Sequence, residues 1–427
     1  MAADDFLDPW IDASQKGFPH HSAPLRRSQI GAQGWNVLAG DLPLPLAVIK
    51  RAVLQHNLAW MQDFAKGQGL GLAPHGKTSM SPQLFRLQLD AGAWGMTFAT
   101  VTQMRVGLAA GARRCLIANQ VLADIDLDCI AALLRSQPDL RLIFLVDSLA
   151  QLGLIEAWHA RQAQPAAFEV LLEIGVPGGR TGCRDLDSAL LLAQRLHASA
   201  AVQLVGVECY EALAASGDTA LDQAYVRPLM ERMQTVVQAC DAQNLFDSDE
   251  VLISAGGSAI FDLVVPGLQT RLRRRVQGLL RSGCYVTHDQ GNYKRMMSAV
   301  AQRTGCGAGL EAAMEVWARV QSCPEPGLAI LAAGKRDLSY DMEMPIPLAV
   351  CARGTRDLRA APADWKISKL NDQHAYLRGA DAQHQALQVG DLVCLGISHP
   401  CTTFDKWRWM PLVDADYNVV DAIVTCF

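Results

Sequence analysis

The feature that most constrains the fold is an alternation of short β-type runs with longer helical patterns between about residues 70 and 290. Such alternation is typical of a parallel sheet whose strands are joined by crossover helices. Eight runs qualify as strands, and eight is the number that closes a (β/α) barrel. The runs cover residues 70–75, 94–99, 114–118, 141–147, 168–175, 203–209, 251–255 and 276–285. We therefore expect an α/β fold with an N-terminal TIM-type (β/α)8 barrel.

The pattern changes after about residue 300, where Pro, Gly and short apolar runs at 328–332, 346–352 and 391–397 favour an antiparallel β-rich domain. We divide the chain into an N-terminal segment (1–42) that packs on the C-terminal domain, a barrel (43–295) and a β-rich C-terminal domain (296–427). Ser81-Pro82 predicts a helix start, and residues 220–243 carry a long amphipathic pattern.

Composition excludes several classes of function. The 427 residues are half hydrophobic, the net charge is -5 and the sequence pI is about 6.1, so no basic surface for nucleic acid is expected. No apolar run has membrane-spanning length, and the acidic first 17 residues do not resemble a secretory signal. The twelve cysteines form no C-x-x-C pair. Their scatter predicts a protein of the reducing cytoplasm.

The segment Pro74-His75-Gly76-Lys77-Thr78 admits two interpretations. From Gly71 onward it matches the phosphate-loop pattern G-x-x-x-x-G-K-[ST], which requires a helix that begins at the lysine. The expected helix start lies four residues later, at Ser81. The alternative places Lys77 at the end of the first barrel strand, where its amine can form a Schiff base with pyridoxal 5'-phosphate (PLP), with His75 in the same cofactor site.

Two further segments follow predicted strands. Gly256-Gly257-Ser258 offers free backbone N–H groups and a hydroxyl for a phosphate, although a plain strand-to-helix turn explains it too. Its place at the rim of a barrel favours the phosphate. The glycine-rich stretch around Arg180 can equally be a flexible turn with a solvated arginine.

His399-Pro400-Cys401 places an imidazole and a thiol two residues apart, so that on an extended segment they point to the same side. Zinc favours such nitrogen and sulfur ligands, so the pair predicts a metal site. The alternative interpretation is that the two residues lie on a strand and share no function. Two protein ligands leave positions open for water and a substrate oxygen, as a Lewis acid requires.

Over most of its length the sequence resembles the alanine racemase-fold PLP enzymes, specifically the metal-dependent D-serine dehydratases and D-threonine aldolases. The resemblance rests on P-H-G-K-T at 74–78, E-I-G-V-P-G-G-R-T-G at 173–182, E-C-Y-E at 208–211, G-G-S at 256–258, G-C-Y at 283–285 and H-P-C at 399–401. It departs from that group at Ala332, Arg336 and the stretch 371–374.

The resemblance implies a PLP-dependent lyase that acts on a D-amino acid with a β-hydroxyl, in a homodimer whose sites lie near the interface. It implies that Lys77 holds the cofactor, Tyr210 meets the pyridine nitrogen and Arg180 lies near the phenolic oxygen. Gly256, Gly257 and Ser258 would bind the phosphate with Tyr285 nearby, and His399 and Cys401 would bind zinc or a similar ion.

Three functions remain open at this point. Cysteine at 401 is more similar to the dehydratases, which favours D-serine dehydration to a 2-keto acid and ammonia, because the aldolases tend to have aspartate there. The first alternative is D-threonine aldolase-type cleavage to glycine and an aldehyde. The second is a non-catalytic PLP-binding protein, against which the C-terminal β domain argues.

Overall fold

The computed structural model describes residues 6–307, 309–379 and 387–427, so the first five residues of the predicted N-terminal segment lie outside the description. Eight parallel strands form one curved sheet in which the second to eighth strands pair in sequence order and the first strand pairs with the eighth. The first to eighth barrel strands are Gly71–Leu72, Met96–Phe98, Arg114–Gln120, Arg141–Val146, Phe168–Ile174, Val202–Cys209, Glu250–Ala255 and Arg275–Leu280.

The sheet closes between its first two strands in sequence. Backbone N–H groups of Trp94 and Thr97 donate to the carbonyls of Leu72 and Pro74, and His75 forms a parallel bridge with Thr97. Seven apolar side chains fill the barrel beneath its mouth: Leu116, Ile143, Leu145, Leu171, Val205, Leu252 and Leu279. The predicted eight-stranded barrel is confirmed.

Helices surround the barrel and join its strands. They are Arg51–Gly67, Pro82–Asp90, Val101–Ala109, Asp124–Ser136, Leu149–His159, Leu186–His197, Thr219–Ala242, Phe261–Leu268 and Asn292–Thr304. Ser81 caps the second helix by accepting a hydrogen bond from the Leu84 N–H, with proline at the first helical position, as predicted. The long helix expected at 220–243 is also present.

The C-terminal domain is an antiparallel sheet, apart from one parallel pair. Its strands are Met314–Glu325, Leu328–Leu331, Ile346–Cys351, Leu358–Ala360, Lys366–Leu370, Ala375–Arg378, Leu392–Gly396, Trp409–Val413 and Val419–Val424. The strand Leu46–Lys50 joins this sheet, antiparallel to Met314–Glu325 and parallel to Trp409–Val413. It therefore lies outside the barrel sheet, although the sequence-based division placed it in the barrel segment.

The N-terminal segment contacts the same domain. It contains the strand pair Trp10–Ile11 and Leu25–Arg26, followed by the 3-10 helix Arg27–Ala32. The Arg27 guanidinium donates to the Asp421 carboxylate at 2.6 Å, on the strand Val419–Val424. Among the described residues, no helix is both long and apolar enough to cross a membrane.

The predicted strand at 276–285 was too long, because the observed strand ends at Leu280. Arg281 turns into the barrel instead, where it pairs with Glu208. Gly283 then passes so close to the first strand that an added Cβ would lie 2.7 Å from the His75 carbonyl oxygen. These contacts turn the chain away from the sheet and bring the loop after the eighth strand to the mouth of the barrel.

Candidate active site

A pocket lies at the carboxyl ends of the strands, and every barrel strand or the segment that follows it contributes to its wall. Its lining residues are His75, Lys77, Ala99, Ala118, Asn119, Leu145, Glu173, Arg180, Glu208, Tyr210, Gly256 and Arg281. This is the end of a (β/α) barrel at which active sites form. The pocket brings together five of the ten residues selected from the sequence.

Lys77 lies on the one-turn 3-10 helix Gly76–Thr78, which follows the first strand. The next α-helix begins only at Pro82, so no helix starts at the lysine and the phosphate-loop interpretation is wrong. Close packing holds this turn in place, since a Cβ on Gly76 would lie within 3.0 Å of the Phe98 and Phe85 rings. The Lys77 side chain itself is exposed to the pocket.

His75 is half-buried, and its Nδ1 atom has no hydrogen-bond partner. Desolvation, followed by the positive charges of Lys77, Arg281 and Arg180, holds the pKa of His75 well below its ordinary value. The imidazole is therefore neutral, and a neutral ring can pack against a flat aromatic cofactor without adding charge.

Arg180 and Tyr210 face each other across the pocket. The guanidinium carbon of Arg180 lies 4.8 Å from the centre of the Tyr210 ring, a cation–π contact. Burial is the main cause that raises the pKa of Tyr210 to about 12, so the phenol stays neutral. The residues alone left open whether Arg180 is solvated, and the structure places its side chain in the wall of this pocket.

Sequence reasoning did not select the charged pair that forms the floor of the pocket. Arg281 forms a very short ion pair with Glu208 and donates to Ser254 Oγ at 2.7 Å, while its Nε atom has no partner. Burial raises the pKa of Glu208 to about 7, against the opposing effect of Arg281. The signal was available, because Arg281 directly follows the apolar run of the eighth strand.

The loops after the seventh and eighth strands interlock next to this floor. Ser258 Oγ accepts hydrogen bonds from the backbone N–H groups of Gly283 and Cys284, at 3.1 and 3.2 Å, and Ser282 Oγ donates to the Gly257 carbonyl. Ser258 Oγ therefore occupies the point on which these two adjacent N–H groups converge, and paired backbone N–H groups of this kind can bind an anion. We call the segments 256–258 and 283–284 the cradle.

Glu211 is fully buried beside this cradle, and neither carboxylate oxygen has a hydrogen-bond partner. A side chain at Gly257 would collide with that carboxylate. Burial raises the pKa of Glu211 to about 7. Tyr285, by contrast, points away from the pocket, because its ring is buried and its hydroxyl accepts a hydrogen bond from Gln88 at 3.2 Å.

The His399-Pro400-Cys401 segment precedes and begins the short helix Cys401–Phe404, so it is not the extended strand that the spacing suggested. The two side chains nevertheless remain in contact. Cys401 Sγ lies 3.5 Å from Thr78 Oγ1 and 3.6 Å from Cys284 Sγ. Thr78 is the residue that follows Lys77. The C-terminal domain therefore reaches the lysine turn, although 323 positions of sequence separate Thr78 from Cys401.

Asp341 accepts a hydrogen bond from His399 Nδ1 at 2.6 Å, which leaves Nε2 available. Burial lowers the pKa of His399, but its contacts with Cys401 and Asp341 raise it to about 9. The Cys284 thiol, together with His399, holds the pKa of Cys401 well below its ordinary value. Among the described residues, no three His, Cys, Asp or Glu side chains are already arranged around a common metal position.

Comparison with known proteins identifies the family. Residues 49–270 match the alanine racemase N-terminal domain, and residues 313–413 match the putative serine dehydratase domain. The chain is 32% identical to D-threo-3-hydroxyaspartate dehydratase of Delftia sp. (strain HT23) over 399 residues, which cover 88% of this chain and 96% of that protein. This chain belongs to the alanine racemase-fold PLP enzymes.

Other relatives place it within that family. It is 26% identical to a D-threonine aldolase of Arthrobacter sp. over 84% of this chain and 86% of that protein. The solved structure of the Delftia dehydratase superposes with a TM-score of 0.72 at 26% identity, covering 92% of this chain and 99% of that one. A cysteine-to-alanine variant of that dehydratase is described as metal-free. The chain is a PLP-dependent lyase of the D-serine dehydratase and D-threonine aldolase branch.

The residues of this lyase fit PLP. An exposed lysine amine faces a pocket at the end of the barrel, and Arg281 Nε is a buried donor without a partner. The amides of Gly283 and Cys284 converge on a polar oxygen, Ser258 Oγ, which a phosphate oxygen could replace. A metal ion also finds suitable ligands in His399 and Cys401, since imidazole nitrogen and thiolate sulfur are the donors that zinc favours.

Proposed function

We propose that this lyase dehydrates a D-amino acid with a β-hydroxyl, as a D-serine dehydratase does, and releases a 2-keto acid and ammonia. The contact between Cys401 and Thr78 carries the proposal, because it brings the candidate metal ligands next to the lysine turn. Removing a β-hydroxyl requires a base at the α-carbon and assistance for the departing oxygen. The Lys77 turn and the His399/Cys401 pair would provide these two groups.

In this proposal Lys77 Nζ would hold the cofactor and would accept the α-proton of the substrate from one face. Bound PLP supplies an electron sink for the α-carbon. Tyr210 would meet the pyridine nitrogen as a neutral phenol, consistent with its raised pKa, and Arg180 would lie near the phenolic oxygen. His75 would pack against the ring as a neutral imidazole.

Gly256, Gly257 and Ser258 would hold the phosphate together with the amides of Gly283 and Cys284. Ser258 Oγ now occupies the point on which those amides converge, so a phosphate oxygen would replace that hydroxyl as acceptor. Tyr285 would support the loop from behind rather than touch the phosphate, because Gln88 engages its hydroxyl.

His399 and Cys401 would hold a divalent ion, for which zinc is our choice. Asp341 would orient the histidine through Nδ1, an arrangement common among metal-binding histidines. A zinc ion there would supply a Lewis acid for the hydroxyl of the substrate. A cysteine variant of a D-threo-3-hydroxyaspartate dehydratase is described as being in the metal-free form, which supports the presence of a metal ion in this relative.

Retro-aldol cleavage, as in the D-threonine aldolases, is the second candidate, favoured by the similarity to such an enzyme over most of the chain. The same base and ion would act on the hydroxyl proton rather than on the C–O bond, and glycine plus an aldehyde would form. The cysteine at position 401 favours dehydration over this cleavage.

The test is to identify the products. Purified enzyme loaded with PLP and Zn²⁺ is incubated with D-serine, D-threonine and D-threo-3-hydroxyaspartate, with L-serine as the stereochemical control. We expect ammonia and a keto acid in equal amounts from at least one D-substrate and none from L-serine. Glycine with an aldehyde would establish the aldolase alternative, and no turnover of any D-amino acid would overturn both.

Variants at the candidate metal ligands test the role of the ion separately. His399→Ala and Cys401→Ala should retain the visible absorption of bound PLP while turnover falls. Unchanged turnover after metal removal would contradict the Lewis-acid role. The homodimer and the cytoplasmic location also remain predictions, and sedimentation equilibrium of the purified protein checks the first of them.

A further inference from the structure

A buried thiol pair lies between the lysine turn and the C-terminal domain. Cys284 follows the eighth barrel strand and Cys401 begins the short helix after the His-Pro pair, and their sulfur atoms are 3.6 Å apart. Thr78 Oγ1 lies close to both, at 3.8 Å from Cys284 Sγ and 3.5 Å from Cys401 Sγ. The proposed function assigns Cys401 a role but gives none to the Cys284 side chain.

We propose that Cys284 is a third ligand of the metal ion, so that the site is His399, Cys284 and Cys401. The proposal rests on the metal site proposed above and adds to it. Two sulfur atoms that share one tetrahedral zinc ion, each at about 2.3 Å, lie about 3.8 Å apart. The observed separation of 3.6 Å is close to this value, whereas a disulfide would require about 2.05 Å.

The ligand count supports the same conclusion. Catalytic zinc sites use three protein ligands and keep a fourth position for water or substrate. His399 and Cys401 alone give two. With Cys284 the site has two sulfurs and one nitrogen, and one position stays open toward the substrate.

The surroundings allow Cys284 to bind without a large movement of the backbone. Gly283 packs against the His75 carbonyl and Thr78, which fixes the start of the loop, and Ser258 holds the Cys284 amide. In the described part of the chain the three side chains do not yet surround one metal position. Metal binding would therefore require side-chain adjustments in which the two sulfur atoms keep about their present separation.

A second thiolate changes which ion the site prefers. Two thiolates balance the double positive charge of the ion, and soft sulfur ligands favour zinc over manganese or magnesium. We therefore expect this lyase to bind Zn²⁺ more tightly than Mn²⁺, and we expect Cys284→Ser to reduce that preference.

The first experiment measures metal binding without substrate. PLP-loaded, metal-free enzyme under reducing conditions competes with a chromophoric chelator for Zn²⁺. Loss of a residue that contacts a metal ligand without binding the metal typically weakens metal affinity by roughly 10- to 100-fold. If Cys284 binds the ion directly, Cys284→Ser should weaken Zn²⁺ binding by more than this. Cys240→Ser, which removes a buried thiol from the helix Thr219–Ala242, should bind Zn²⁺ like the unchanged enzyme.

The second experiment needs no variant. X-ray absorption of the zinc-loaded enzyme counts sulfur neighbours at about 2.3 Å. Two sulfurs support the proposal, and one sulfur overturns it, as would unchanged zinc affinity in Cys284→Ser. If His399→Ala loses zinc while Cys284→Ser does not, only the third ligand is wrong. If the unchanged enzyme fails to bind Zn²⁺ in the competition assay, the proposed metal site falls with it.

Discussion

Single residues of the site owe their chemistry to burial. Lys77 is exposed in the pocket, whereas the groups around it are shielded from solvent, so that His75 and Tyr210 stay neutral. Strand position suggested Lys77, the family resemblance added Arg180 and Tyr210, and the structure brings all three side chains to one pocket. The sequence did not identify the roles of Arg281 and Cys284, because these depend on partners more than seventy positions away.

Lys77→Ala tests the central residue. Without the amine the enzyme should lose the visible absorption of bound PLP, and turnover should fall by at least roughly 10²-fold, the lower range for loss of a catalytic base. Lys66→Ala, on the exposed side of the helix Arg51–Gly67, is the matched control and should change neither. Absorption and turnover that survive in Lys77→Ala would refute the role of this lysine.

Glu211→Gln tests a buried acid. Burial raises the pKa of Glu211 to about 7, so the folded protein holds a proton that the unfolded chain releases above its ordinary pKa. The free energy of unfolding should therefore decrease as pH rises between about 4.5 and 7. The amide of the variant cannot ionise. The free energy of unfolding of the variant, relative to that of the unchanged protein, should therefore increase over this pH range by about 1–3 kcal/mol.

Urea denaturation at pH 5 and pH 8 measures this difference. Glu208→Gln is the matched control, because Glu208 pairs with Arg281. Its loss leaves a buried guanidinium without a counter-charge and should destabilise the protein. A difference between Glu211→Gln and the unchanged protein that does not vary with pH would contradict the argument.

At the scale of elements, the loops after the barrel strands place the site, and the sequence predicted the strands better than the loops. All eight strands and the cap at Ser81 were found, because alternation and capping are local signals. The end of the eighth strand was missed, because it depends on the distant Glu208 and on the close approach of Gly283 to the first strand. Tertiary contacts of this kind leave little trace in a single sequence.

Gly283→Ala tests the packing of these loops. The added methyl group would lie 2.6 Å from Thr78 Oγ1 and 2.7 Å from the His75 carbonyl oxygen, so the loop must shift. We expect a loss of about 1–3 kcal/mol in stability and weaker binding of PLP, measured by denaturation and by cofactor titration.

Gly153→Ala is the control for this substitution. Gly153 is exposed in the helix Leu149–His159 and has no atom within 4 Å of the added carbon. Alanine there should stabilise the protein by roughly 0.5–1 kcal/mol, because it favours the helix. Equal effects of the two variants would show that the contacts around Gly283 are unimportant.

In the whole molecule, the barrel segment and the C-terminal domain contact each other outside the candidate active site as well as within it. The strand Leu46–Lys50 pairs with the C-terminal sheet, and Lys50 Nζ lies 2.8 Å from the buried Glu315, whose other oxygen accepts a hydrogen bond from the Tyr417 hydroxyl. The sequence indicated two domains, because the alternating strand and helix patterns give way near residue 300 to short apolar runs separated by Pro and Gly. A five-residue run before the first helix gave no sign of which sheet it would join.

Glu315→Ala tests this connection. Removing the buried carboxylate leaves Lys50 and Tyr417 without their partner, and we expect a loss of about 2–3 kcal/mol in the free energy of unfolding. Glu325→Ala removes a surface carboxylate that lies 3.4 Å from Arg378, and should cost less than about 1 kcal/mol. Chemical denaturation compares the two, and a surface-like loss for Glu315→Ala would contradict the prediction.

The position of Leu46–Lys50 has a consequence for how the protein matures on the ribosome. This strand is synthesised long before its partners Met314–Glu325 and Trp409–Val413. It has neither partner while the barrel residues between them are made. In a nascent chain the barrel strands are therefore complete before the histidine and cysteine of the C-terminal domain are added.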